Sequence, residues 1–189
     1  MTVEERAALL DSFARGPALL SGELRCLPKR TWLSRPLPGR WSTHEIILHL
    51  ADAEAVAYVE CRQFIADPSA PIPIIDRSAW VANLGYFHQS TRAALESVRL
   101  LRRMTFELLS CVPAEIWPRT LGRPNHASIH SRTHGAVTLE SWLQRQNRHI
   151  PHHLQQIKQN YEAWLHKNPP RQRAARSVET REPLPIGAD

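Results

Sequence analysis

Trp41-Ser42-Thr43-His44-Glu45-Ile46-Ile47-Leu48-His49-Leu50-Ala51-Asp52-Ala53-Glu54 is the stretch that decides the fold class. Ser42 and Glu45 stand in capping-box register. The Ser42 hydroxyl can accept from the Glu45 amide while the Glu45 carboxylate reaches back to the Ser42 amide. Trp41 precedes the cap and Ile46 follows it by four, the arrangement of a hydrophobic staple. Beyond the cap, Ile46, Ile47, Leu50, Ala53, Val56, Ala57 and Phe64 keep helical spacing until Asp67-Pro68 closes the run. The pattern predicts a long helix with one apolar face.

Working outward, three more long helices follow from the same periodicity. Residues 3 to 26 carry Leu9, Leu10, Phe13, Leu20, Leu24 and Leu27 at three- and four-residue spacing. Gly16-Pro17 interrupts them. An interior proline removes a backbone hydrogen bond and costs roughly 3 kcal/mol, so a kink or break is expected there. Phe87 to Cys111 has Leu95, Val98, Leu101, Leu108 and Leu109 as its stripe, and Pro113 stops it. The last helix starts at Thr138, an N-cap with Glu140 in the first turn, and runs to about His166 with Pro151 inside. Ser78 to Leu84 predicts a short helix carrying Trp80. No strand or hairpin pattern appears. These elements predict an all-α four-helix bundle whose long connections act as crossovers. From Lys167 onward apolar residues thin out and Pro and Arg accumulate. The expected organisation is a bundle domain over 1–166 and a disordered tail over 167–189.

The chain has 189 residues, enough for one domain plus an appendage and for a core that needs no disulfide. Its formal charge of +6 weakens as a clue to an anionic polymer, because the tail holds five basic and three acidic residues, two of the six net charges. Basic and aromatic residues do not interleave, nor do basic residues line one helix, which argues against nucleic-acid binding. The beginning of the sequence lacks a secretory pattern, and no run reaches the 18 apolar residues of a membrane span. Cys26, Cys61 and Cys111 form no CxxC pair and read as idle thiols, which suits a reducing cytoplasm.

Ten histidines are the unusual feature of the composition. His149 and His153 lie four apart on the last helix, where neighbouring imidazoles can share one metal ion. His49 lies on or beside the apolar stripe of the second helix, where it could be a hydrogen-bonded core residue or a third ligand. Three imidazoles would leave a coordination position open, the form of a catalytic rather than a structural site. His126, His130 and His134 are also four apart. Pro124, Gly122 and Gly135 surround them, so a solvated loop is expected. His44, His88 and His166 read as surface residues, and His152 as a neighbour of the site or a surface residue.

Four stretches together resemble the DinB-like superfamily, which includes DNA-damage-inducible and bacillithiol S-transferase-like proteins. They are Trp41-Ser42 with Glu45 and His49-Leu-Ala-Asp52-Ala-Glu54; Asp76-Arg-Ser-Ala-Trp80; His130-Ser-Arg-Thr-His-Gly135-Ala-Val-Thr138-Leu-Glu140; and His149-Ile-Pro-His152-His153-Leu-Gln-Gln156-Ile157. They fall in the family's order over about residues 5 to 165. The resemblance implies a four-helix bundle, often a homodimer, with a metal triad at His49, His149 and His153. It implies divalent nickel or zinc. Pro151, between the two ligands of the last helix, departs from the pattern and leaves the Asn147 carbonyl without its intrahelical donor.

The function implied is activation of a low-molecular-weight thiol at an open three-His site for attack on an electrophilic small molecule. Asp52, one turn beyond His49, is a candidate to orient a ligand imidazole or to act as a base. Arg148 is a weak candidate for holding an anionic thiol. A metal-dependent hydrolase and a non-enzymatic, metal-containing stress-response module are the alternatives.

Overall fold

The computed structural model describes residues 1–35, 38–69, 75–120 and 137–169. Five α-helices account for most of them: α1 (Val3–Arg25), α2 (Thr43–Ala66), α3 (Arg77–Asn83), α4 (Thr91–Ser110) and α5 (Leu139–Lys167). Side chains define each start. Thr2, Ser42 and Thr138 close capping boxes with Glu5, Glu45 and Ser141, while Asp76 and Ser90 accept from amides of the first turns of α3 and α4. Each such cap is worth about 1 kcal/mol.

The four long helices form the bundle. α2 packs on α4 and α5, and α1 packs on the same two, so α1 and α2 face each other across one diagonal and α4 and α5 across the other. Chain-consecutive α1 and α2 are therefore not side-by-side neighbours, nor are α4 and α5. That placement accounts for the long crossover connections. Among the described residues there is no strand beyond one isolated bridge, Thr120 with Thr138, and no helix long and apolar enough to cross a membrane.

The apolar core falls into two clusters. One contains Leu20, Leu24, Ile46, Ile47, Leu50, Val98, Ile150, Leu154 and Ile157. The other contains Phe13, Cys61, Phe64, Leu109, Trp117, Trp142 and Leu143. Burying a side chain of this size contributes roughly 1.5–3 kcal/mol. Between the clusters lies a polar layer, one residue from each helix: Gly16, Glu54, Arg102 and Gln146, all buried. Arg102 forms an ion pair with Glu54 and donates to the Phe13 and Gln146 carbonyls at 3.4 Å each.

That layer corrects one expectation. α1 is continuous through Gly16-Pro17 instead of breaking there. Pro17 has no amide to offer the Phe13 carbonyl, and Arg102 supplies the missing donor from α4. A second expectation shifts by four residues. Gly85 takes a left-handed conformation (φ 60°), Tyr86–His88 form one 3₁₀ turn, and α4 begins at Thr91, not Phe87. The turn seats Tyr86 in the core. The tail expected beyond Lys167 lies, from residue 170 on, outside the described residues, as do His126, His130 and His134.

Candidate metal centre

α2 and α5 bring His49, His149 and His153 together. His49 sits between the core residues Leu48 and Leu50, and packing of α2 on α5 turns it toward the α5 pair. The ring centroids are 5.4 Å apart for His49 and His149, 4.8 Å for His49 and His153, and 4.7 Å for His149 and His153. One ligand nitrogen from each ring can be chosen so that all three lie within 4.8 Å of one another. His49 and His153 are buried and His149 is half-buried.

Two details favour metal ligation over simple packing. The Nε2 atoms of His149 and His153 are 3.1 Å apart. Two imidazole nitrogens on one ion at 2.0–2.1 Å would be separated by about 2.9–3.4 Å for angles between square and tetrahedral. Gln156 Oε1 lies 2.8 Å from His153 Nδ1. That carbonyl can only accept, so Nδ1 carries the proton and the Nε2 lone pair is left facing the triad. Gln156 in turn places its amide 3.2 Å from His152 Nε2.

The electrostatics agree. Burial holds His149 well below the usual histidine range, and interactions with His153, His49, Arg77 and Arg102 lower it further. Burial takes His153 down to about 4, against an upward pull from Gln156 and with His152 and Arg77 lowering it further. Both rings are neutral at pH 7, the form that ligates metal.

Trp41 walls the site. Its ring stacks on His153 at 6.3 Å and 16° and tilts against His49 at 4.8 Å. The capping box therefore does two jobs, since it starts α2 and fixes the chain direction that lays Trp41 over the triad. Asn160 tethers the same segment by donating to the Trp41 carbonyl at 2.9 Å. The Glu45 carboxylate also accepts from Arg35, and these bonds hold it below its ordinary range against the opposing effect of burial.

The other sequence-based expectations divide. Asp52 is half-buried, and its Oδ2 accepts from the Tyr86 hydroxyl, whose pKa is pushed well above the usual tyrosine range by burial and by that carboxylate. Arg148 is exposed at the edge of a cavity that His149 also lines. His88 and His166 are exposed as expected, as is His152. His44 is not a surface residue. It is buried, with Nε2 2.8 Å from the Tyr86 carbonyl, because α2 is covered all round at its N-terminal end. Cys61 is buried, Cys26 and Cys111 are exposed, and all three are free thiols.

Sequence reasoning missed Trp41 as a wall and Gln156 as the partner of His153, although Gln156 stands three residues on, within reach on one helix face. It also missed Arg77 and Arg145 beside His149. Arg145 lies one turn before His149, a readable spacing, but Arg77 arrives on α3 and no spacing could have found it.

The structure is similar to that of YfiT from Bacillus subtilis, described as "a probable metal-dependent hydrolase with an unusual four-helix bundle topology". The two share 18% identity with a TM-score of 0.75, covering 87% of this chain and 90% of that one. No curated protein matches. A model of the DinB superfamily matches residues 12–157, a span that takes in the capping box, the polar layer and all three clustered histidines. Bundle topology and sequence thus agree with the family resemblance, and the chain belongs to the DinB superfamily.

Proposed function

We propose that the protein is a metal-dependent enzyme that joins a low-molecular-weight thiol to an electrophilic carbon, with zinc or nickel held by His49, His149 and His153. The observation that carries this reading is the cluster of three imidazoles, two of them held neutral, with no carboxylate among the three. When bound, a divalent cation so ligated keeps its full charge and supplies Lewis acidity, lowering the proton affinity of a thiol or water that enters its open position.

The remaining work falls to the chain. Gln156 holds the His153 ring so that its lone pair faces inward. Trp41 keeps water from one side of the triad. In the reaction, the thiol loses its proton to solvent, a sulfur–carbon bond forms, and the bond from that carbon to its leaving group breaks. Such a step needs no strong base beside the site. Asp52, the carboxylate one turn from His49, already has one oxygen engaged by Tyr86.

Hydrolysis is the second reading, favoured by the description of YfiT. The test is turnover by metal-loaded protein of a chlorodinitrobenzene electrophile with a panel of small thiols, beside an activated ester without thiol, each repeated with His49→Ala. Thiol-dependent turnover lost in the variant supports transfer. Thiol-independent ester cleavage lost in the variant supports hydrolysis. Equal rates with and without His49 exclude both and leave a binding module.

A further inference from the structure

We propose that the mouth of the triad is a receptor for a small, multiply charged oxyanion, gripped by Arg77, Arg145 and Arg148 so that it lies against His149. As a statement about substrate, this rests on the metal-centre reading above. It says that the substrate or thiol carries carboxylate or phosphate groups close to its reacting atom.

The cavity measures about 260 Å3 and is lined by Arg77, Arg145, Gln146, Arg148, His149 and His152. Arg145 and Arg148 stand three apart on α5 and so share a face, while Arg77 comes from the first turn of α3. Three guanidinium groups thus converge beside a triad histidine. Among the described residues none of the three makes a salt bridge.

The charge balance is unfavourable without a guest. Arg145 is half-buried, and burial lowers its pKa; Glu60 opposes that shift, and Arg77 and Arg148 add to it. Glu60 thus offsets one of three positive charges. An imidazole cannot offset a positive charge, and a divalent cation would add two more. Arginine forks match carboxylate and phosphate oxygens in pairs, and such bonds strengthen out of water. The volume falls below the roughly 300–1,000 Å3 usual for drug-sized ligands, which suits a small anion.

Calorimetric titration of the full chain, metal-loaded and metal-stripped, with succinate, inorganic phosphate and neutral succinamide tests this. Succinate or phosphate should bind and succinamide should not. Arg145→Gln/Arg148→Gln should weaken anion binding at least tenfold while metal content stays at the wild-type level. Arg148→Gln, at an exposed position, repeats the test with little burden on folding and should weaken binding in the same direction. Failure of both anions to bind, equal binding of succinamide, or unchanged affinity in both variants overturns the proposal and leaves the metal reading intact. Arginine-dependent anion binding in a protein that takes up no metal would instead support the receptor and refute the metal centre.

Discussion

Arg102 Nη1, on α4, donates at 3.4 Å to the Phe13 carbonyl of α1, the acceptor that Pro17 leaves without an amide. The same side chain pairs with Glu54 of α2 and reaches the Gln146 carbonyl of α5, so one buried arginine ties all four bundle helices at mid-height. Every neighbouring helix contributes an acceptor, which offsets much of its desolvation, while its buried Nε has no partner among the described residues.

Gly16 makes room for this arrangement. A Cβ at Gly16 would lie 2.4 Å from Arg102 Nη1 and 3.0 Å from Ile150 Cδ1. A flexible arginine could yield, but this one is pinned by Glu54. Gly16→Ala, though a better helix former, should therefore lose about 1–3 kcal/mol of stability, as overpacking does. Urea denaturation checks this; a stabilised variant would show that Arg102 moves freely.

Removing one partner of the buried pair should cost more than removing both. Burial outweighs Arg102 in raising the Glu54 pKa, so a lone Glu54 would be forced toward its neutral form. Arg102→Met should destabilise by about 3–5 kcal/mol, and Arg102→Met/Glu54→Leu should recover part of that loss. The measurement is a double-mutant cycle by urea midpoint. A double variant no more stable than Arg102→Met alone would contradict the expectation.

Gln156 acts on the triad without belonging to it. Gln156→Leu frees His153 Nδ1 of its acceptor while keeping the side chain's bulk. Metal affinity should fall about 10- to 100-fold with little change in melting temperature of the metal-free protein. Competition with a chromogenic chelator reads the affinity. An unchanged constant would show that the ring is oriented by packing against Trp41 alone.

Metal-free protein should lose stability in acid through the triad. His153 titrates near 6.5 in an unfolded chain and near 4 when folded. Between those values the unfolded chain takes up a proton that the folded one refuses. This contribution is present in full above pH 6.5 and is lost as pH falls toward 4. At pH 4.5 the loss is about 2–3 kcal/mol, or on the order of 5–10 °C in melting temperature. His149 shifts the same way, whereas the raised pKa of Glu54 works in the opposite sense. Calorimetry of wild type against His153→Gln from pH 4.5 to 8 isolates the histidine, and the variant should show the shallower fall. Parallel curves would count against a buried neutral His153.

Local rules made much of this protein readable in its sequence. The Ser42–Glu45 capping box, the Thr138 cap and the apolar spacing of four helices depend on residues within a turn of one another, and each appears in the structure. His149 and His153 were legible as a pair for the same reason. That His49 completes the set was readable from the family resemblance, and only the packing of α2 on α5 places its ring 4.8 Å from His153. Local rules misled at Gly16-Pro17, because the donor that keeps α1 whole comes from residue 102, far away in the chain. They misled at His44, whose acceptor is the Tyr86 carbonyl. Arg102 lies on the buried face of α4 beside Val98 and Thr105, a position that periodicity alone assigns to an apolar residue. Helix starts and faces follow from short-range hydrogen bonds and side-chain spacing. The polar layer, the Trp41 wall and the arginine-lined mouth require groups from separate helices to meet, and only the tertiary structure decides which ones do.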